Sequence, residues 1–545
     1  MIDPGLTTAP MAASTKDEGS VARAARCWRA CFWLVYLGTL AIKLAVASRL
    51  APFSDEAFYW QESRHLDWGY SDLPGMTAWL IALGERLGGH GVLAMRAPFL
   101  LLGSLLPWLV RDLALRLAGP VQGWQAALWC LALPLASSLG VLALPDVPLT
   151  VAMLAAICAL CRLREDSSLL AWLGLGLSLA AACATHYRAA PLVLTGLWLI
   201  LATPRGRGWW RQPGAWLAFG LAAVGLMPLL ISNLRTHGAG LAFQLWQRNP
   251  WHFHADTLVQ PLEQAGVCTP LLYGLLAWAA WKVWCRRREG WVWQVLAIHT
   301  VVLWLGYAVG GLFADDARFR LHWPLPGYLP LLAVLPVLWA ERRHGGGVRM
   351  IWGASWWLGW LATLAGLGLL WAASLSPLPQ AGRWGKLFPM QFTGWRESAA
   401  KAVQLRRPGQ LLVADNFILG AELDFSLAGQ LPVYVLDSPL NRYHGRAPQL
   451  ALWQLDLPAL RRRAGKDELL LVVDETALRE RWRWSALEHL CGELASVRLL
   501  GRLEPDQKRR RFGFYAIRLR AVTAAPRRCV IWTQAHAATY PDGPG

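Results

Sequence analysis

Two adjacent carboxylates, Asp55 and Glu56, follow directly on a long apolar run, in the segment PFSDEAFYWQESRHLDWGYSDLPGMTAWL. A carboxylate tight against hydrocarbon is costly, and an ordinary acidic loop does not need one there, so the pair marks chemistry. Tyr59, His65, Asp67, Tyr70 and Asp72 follow within the same segment. A further carboxylate, Asp146, sits between prolines in ALPDVPLT, where it could also start a helix. Cations accompany these acids: Arg96 inside an apolar stretch, the triplet His186, Tyr187 and Arg188, and ADDARFRLHWPLPGY with Asp315, Asp316, Arg318, Arg320, His322 and Trp323. Arginine forks match phosphate oxygens bidentately. Carboxylates and cations on one face could deprotonate a nucleophile and stabilise a phosphate leaving group. They could equally line the charge-paired pathway of a transporter. The sequence has no P-loop, GxSxG or HExxH motif, which removes support for ATP-driven, serine-hydrolase and zincin chemistry.

The elements that position these groups are membrane helices. Of the 545 residues, 55% are hydrophobic and only 16% charged, with 34 Trp, where a soluble enzyme carries about a quarter charged. Apolar segments at 28–50, 92–110, 121–142, 147–161, 169–185, 189–203, 214–232, 268–284, 292–311, 325–340 and 351–374 give about eleven spans, up to thirteen with a re-entrant pair. With the amino terminus inside, Arg and Lys fall on every inner loop: Arg111 and Arg116, Arg162 and Arg164, Arg205 to Arg211, Lys282 to Arg288, and Arg342 to Arg349. This order puts the acidic loop 51–91 and the carboxy-terminal part outside. Residues 1–27 read as a disordered cytoplasmic leader and 521–545 as a flexible tail. Between them, 376–520 reads as a small periplasmic α/β domain, with strands at 411–415, 431–437, 468–475 and 511–520 and helices at 391–407 and 447–463.

The net charge of +18 belongs to inner loops and headgroup contacts, so nucleic acid is not expected as a partner. Most of the ten cysteines lie in or beside apolar segments and read as small hydrophobes, the Cys158/Cys161 spacing included. Cys491 and Cys529 alone could bridge in the distal domain. No metal-ligand cluster is evident; a divalent ion is left open beside Asp55, Glu56 and His65.

The segment from DEAFYW through GYSDLPG to MRAP resembles the opening of bacterial membrane glycosyltransferases of family 39, the PMT_2 type. That group includes aminoarabinose transferases acting on lipid A and polyprenyl-phosphate-galacturonate transferases. Members look like D-E-x-Y-Y-W, G-Y-x-D-x-P-P and V-R-x-P; Asp55, Glu56, Tyr59, Trp60, Gly69, Tyr70, Asp72, Pro74, Arg96 and Pro98 match. LPDVPL carries a second family aspartate as Asp146, and HWPLPGY resembles N-W-P-x-P-x-Y through Trp323, Pro324, Pro326 and Tyr328. GWRESA and GAELDFSLAGQLPVYVL resemble the outer domain of the bacterial subgroup.

The resemblance implies the GT-C fold: a polytopic α-helical catalytic domain over 28–375, whose first outer loop holds the catalytic carboxylate. It implies inverting transfer of a sugar from polyprenyl (undecaprenyl) phosphate to a lipid A or core, glycolipid or polysaccharide acceptor at the periplasmic face of the inner membrane. Asp55 would be the acid/base residue, with Glu56 or Asp146 orienting substrate or another catalytic group. Arg96, His186, Tyr187, Arg188, Arg320 and His322 would hold the donor phosphate. Tyr59, His65, Tyr70, Asp72 and Trp323 would contact acceptor or sugar. His186 stands where relatives have Lys, His322 where many have Asn, and Gly75 where a second Pro is usual. A neutral histidine is an unreliable cation, so Arg188 is expected to supply that charge. A monomer without a cofactor is expected. Protein O-glycosylation on the same fold and an envelope lipid or oligosaccharide transporter are the alternatives; transport would need inward-facing ionisable groups, whereas these cluster on one side.

Overall fold

The computed structural model describes residues 15–163, 168–247, 251–253, 255–313, 321–341, 345–375, 390–476, 493–505 and 509–520. Arg320, Cys491, Cys529 and the expected tail lie outside the described residues. Two helices precede the loop turn, α1 (Thr15–Arg49) and α2 (Ser54–Arg64). Then come α3 (Met76–Gly88), α4 (Val92–Ser104), α5 (Leu106–Ala118), α6 (Pro120–Ala132), α7 (Pro134–Ser138), α8 (Asp146–Arg162) and α9 (Leu169–Thr185). After a turn at Tyr187–Ala189 follow α10 (Ala190–Ala202), α11 (Pro204–Gly208), α12 (Pro213–Arg235), α13 (Ala239–Ala242), α14 (Gln260–Cys268), α15 (Pro270–Cys285), α16 (Trp291–Phe313), α17 (Leu325–Ala340) and α18 (Gly346–Ser374).

Every expected span overlaps a helix, though 92–110 and 121–142 each divide between two, and the count of eleven crossings is corrected. Among the described residues, five helices are long and apolar enough to cross a membrane, six if the pair Tyr187–Ala202 and Pro204–Arg211, bent by 86°, counts as one. A crossing takes about 20 residues, and α8 and α9 have 17, α15 and α17 have 16 and α6 has 13. Prolines set several of these limits: α6, α7, α11 and α15 all begin on one, since proline suits a first turn and cannot continue a preceding helix. The leader is also corrected: α1 starts at Thr15, because the Ala- and Arg-rich run from Ala22 to Arg26 favours helix.

The bundle core gathers around α17, buried at every position from Leu325 to Leu338, and α8. α1, α12 and α18 present apolar outer faces instead, with Leu34, Leu234 and Trp357 all more than two-thirds exposed, as lipid-facing helices do. Close approach depends on small residues. A Cβ at Gly225 of α12 would stand 2.3 Å from Ala180 Cα of α9, so only glycine admits that neighbour. The cysteines among the described residues are free, Cys158 and Cys161 included.

The carboxy-terminal domain has α19 (Trp395–Leu405), β1 (Leu412–Ala414), α20 (Phe417–Ser426), β2 (Val433–Val435), α21 (Pro439–Tyr443), α22 (Ala447–Leu452), α23 (Leu457–Ala464), β3 (Leu469–Asp474), β4 (Leu494–Leu503) and β5 (Phe512–Leu519). The sheet order is β2-β1-β3-β5-β4, with β1 parallel to β2 and β3, and β5 antiparallel to β3 and β4. The four expected strands are present. β4 adds an edge strand whose exposed and half-buried residues lack clean alternation, and the expected helix 447–463 divides where Asp456 caps a new start by accepting from Ala459 N at 3.0 Å. The domain rests on α2: Phe58 meets Phe417 edge-on and shares a core with Val435 and Leu450.

Candidate active site

Asp55 lies in the first turn of α2, where the helix dipole favours a negative charge. Its neighbour Glu56 is fully buried and accepts from Phe53 N at 2.9 Å, as in a capping box, and from Ala143 N at 2.6 Å. Arg96 of α4 grips the same carboxylate bidentately, at 2.8 Å through Nε and 2.6 Å through Nη2. Its remaining donors reach the carbonyls of Ala47, Leu50 and Ala51 at the end of α1. One buried ion pair thus ties α1, α2, α4 and the turn before α8 together. That staple sets Asp55 on one side and Asp146, three residues beyond Ala143, on the other.

Asp146 opens α8. Its Oδ1 accepts from Arg188 Nη2 at 2.6 Å and pairs with His322 Nε2 at 3.1 Å. The Arg188 guanidinium also lies 5.0 Å from the Trp323 ring centroid, a cation–π contact. His186 Nδ1 is 3.1 Å from Arg188 N and its Nε2 3.3 Å from Arg188 Nε. A neutral imidazole has one acceptor nitrogen, so at any moment only one of these is a hydrogen bond. Either way His186 restrains Arg188, and Arg188 carries the charge.

A third cluster crosses from the carboxy-terminal domain. Arg446, 4% exposed, forms an ion pair through Nη1 with Asp72 Oδ2 at 2.6 Å and donates to Glu62 Oε1 at 3.3 Å, with its guanidinium 4.1 Å from the Phe58 ring centroid. Burial pushes the Glu62 carboxyl well above its ordinary range, helped by Asp72 and opposed by Arg446. Burial likewise raises Asp72, against the pull of Arg446. The two carboxyls thus face one cation, and burial pushes both toward the protonated form.

These clusters open on one cavity of about 340 Å³. Of the residues singled out in the sequence, Asp55, Tyr59, Asp72, Asp146, His186, Arg188, His322 and Trp323 line it. The Asp55 carboxylate makes no hydrogen bond or ion pair with any described residue, so it is free to meet a substrate. The wall is amphipathic, since Phe53, Leu73, Leu142, Leu144, Phe243 and Phe392 complete it.

Other expected residues stand elsewhere. Glu56 and Arg96 are consumed by one another behind the wall, so neither the substrate-orienting place expected for Glu56 nor the phosphate contact expected for Arg96 is available. The Tyr187 hydroxyl accepts from Asn233 Nδ2 at 3.0 Å, outside the cavity lining. Tyr70 is buried and donates to the Glu62 carbonyl at 2.8 Å, and His65 stacks on Trp453 with ring centroids 4.8 Å apart; both hold the loop against the outer domain. Among the described residues no group of three or more His, Cys, Asp or Glu side chains could hold a metal ion.

Sequence reasoning missed Arg446, Tyr443 and His444, and also Gln244, on the cavity wall. The signal for the first three was the run NRYHGR at 441–446, four aromatic or basic side chains in six residues just after a strand. It reads as an ordinary polar turn of a soluble domain until the domain is seen docked.

Residues 72–231 match the family model described as dolichyl-phosphate-mannose-protein mannosyltransferase, PMT_2. The chain is 28% identical over 408 residues to a lipid A galacturonosyltransferase from Rhizobium johnstonii, covering 73% of this chain and 80% of the relative. In fold it is similar to ArnT from Cupriavidus metallidurans bound to undecaprenyl phosphate, with TM-score 0.62 and 16% identity over 92% of this chain and 99% of that one. The apo state of the same protein gives TM-score 0.60 and 16% identity, over 90% and 98%. With a helical membrane bundle, a docked β-sheet domain and a cavity between them lined by carboxylates and cations, the chain is a membrane glycosyltransferase of the GT-C fold that resembles the PMT_2 family over part of its length.

Proposed function

We propose that the protein moves a sugar from a polyprenyl (undecaprenyl) phosphate donor to a lipid A or core, glycolipid or polysaccharide acceptor, with inversion at the anomeric carbon. The observation that carries this reading is Asp55: a carboxylate at a helix N-terminus, unpaired among the described residues, in one cavity with Arg188 and His322. An acceptor hydroxyl attacks the anomeric carbon while Asp55 takes its proton. The bond to the phosphate oxygen breaks, and undecaprenyl phosphate leaves with its charge held by Arg188 and His322. Asp146 orients that pair. Tyr59, Asp72 and Trp323 face the sugar or acceptor. The relative's action on lipid A and the undecaprenyl phosphate bound to the structural neighbour support this choice of donor and acceptor.

The site lies on the periplasmic side of the inner membrane, with the amino terminus in the cytoplasm; the Arg and Lys residues that recur between alternate apolar segments of the sequence support that orientation. The test is stereochemical. Purified protein is incubated with the lipid extract of cells lacking the gene, which holds donor and unmodified acceptor together, and donor and product anomers are compared by NMR. Inversion is expected; retention would overturn the single displacement.

A further inference from the structure

The carboxy-terminal domain reaches the cavity through one pinned turn. Asn441 Oδ1 accepts from Phe417 N at 2.9 Å, and Arg446 N donates to Asn441 O at 2.8 Å. Gly445 has φ +69, and a Cβ there would stand 3.0 Å from the Phe243 ring, so glycine suits both the backbone and the fit. Across the domain boundary, Ser71 Oγ donates to Gly445 O at 2.6 Å and Ser71 N to Gln449 Oε1 at 3.0 Å. The turn therefore holds the residue before Asp72 by its backbone and Asp72 itself by Arg446.

Domain attachment alone does not account for this arginine. Phe58, Phe417, Val435 and Leu450 share an apolar core, Gln61 Nε2 donates to Asp424 Oδ2 at 2.8 Å, and His90 Nε2 lies 3.1 Å from Phe425 O. A buried charge cluster adds little to such packing, because taking its members out of water offsets their attraction. What it does fix is charge and orientation at the cavity wall. Without the guanidinium, Glu62 and Asp72 would face each other in a dry site that has lost its strongest influence toward ionisation.

We propose that Arg446 is a positioning residue for sugar transfer: from the carboxy-terminal domain it holds Asp72 as a fixed carboxylate on the cavity wall that also carries Asp55, so the active site is complete only with that domain docked. The inference rests on the reading of this cavity as the transfer site. The groups facing Asp72 are Asp55, Tyr59 and Glu62 on α2, Tyr70 in the loop, Tyr187 after α9 and Arg446. Arg446 is the one cation in this set and the strongest influence toward the charged form of Asp72, so its loss moves the requirement for ionised Asp72 to higher pH.

The experiment uses the full chain in nanodiscs, with the lipid extract of gene-deleted cells as donor and acceptor and mass spectrometry of the glycosylated product as readout. Arg446→Gln is expected to lose about tenfold to a hundredfold in kcat, with little change in donor KM and the acid limb of the pH profile moved upward. Arg446→Lys should recover part of both. The double variant Glu62→Gln/Arg446→Gln removes a buried acid along with the cation, so it reports even if the single variant does not fold; it should melt like wild type yet stay slow. Wild-type rate and pH profile in the double variant, or in Arg446→Gln, would overturn the inference. Full activity of Asp55→Asn in the same assay would instead overturn the reading of the cavity, whatever Arg446 does.

Discussion

Arg96 and Arg188 each stand 2.6 Å from a carboxylate, yet their surroundings give them different work. Arg96 is fully buried and its donors end on Glu56 and three backbone carbonyls. Arg188 stays partly exposed to the cavity, restrained by His186 and Trp323. Replacing Arg96 by Met leaves a buried carboxylate and a helix end unpaired, which is expected to cost about 3–5 kcal/mol; a thermal melt in detergent checks this. Arg188→Ala is expected to destabilise less and to weaken binding of undecaprenyl phosphate, read by titration of that lipid. A melt as low as that of Arg96→Met with unchanged lipid affinity would reverse the two roles. Both arginines were visible in the sequence as charges in apolar surroundings. Their difference was not, because it depends on where the end of α1 falls relative to α4, a contact between segments distant in the chain. Asp55 was legible because a carboxylate at the exit of a span has few bland explanations.

At the scale of elements, α3 and α4 pack so closely that a Cβ on Gly84 would stand 2.1 Å from the Ala94 carbonyl oxygen. Since α4 carries Arg96, any separation of the pair loosens the staple behind Asp55. Gly84→Val is therefore expected to lower both the yield of folded protein and its melting temperature; wild-type values for both would show that the helix pair can give way. The helical segments were legible from long apolar runs, and each expected span overlaps at least one helix. Their lengths were not, because proline starts and the packing of neighbours, rather than hydropathy, set where α6, α8 and α15 begin and stop. The sheet was legible where it is buried: β1 to β3 and β5 are apolar throughout or nearly so. β4 is an exposed edge carrying Arg498 and Arg502, and its pattern resembles a loop.

For the whole molecule, the outer domain and the acidic loop form one body across α2 and α20. Glu422 of α20 is fully buried there, and neither of its carboxyl oxygens has a hydrogen-bond partner among the described residues. Burial pushes its carboxyl well above the usual range. A raised folded value means the native state keeps a proton that the unfolded chain has already released. Stability from this group is thus present at acid pH and lost as pH rises from the ordinary carboxylate value toward the raised one. Glu422→Gln is expected to flatten that decline, so that its melting temperature exceeds that of wild type more at pH 8 than at pH 5. An equal difference at both would place the proton elsewhere. The central claim, transfer of a sugar with Asp55 as the base, is tested most directly in the envelope itself. Mass spectrometry of extracted lipids and glycans compares cells with the gene, without it, and with Asp55→Asn, a substitution that removes no hydrogen bond or ion pair among the described residues. The account predicts that one sugar-sized increment on an envelope component disappears in the last two alike, while the Asp55→Asn protein accumulates to wild-type levels. An increment that persists with Asp55→Asn would contradict it.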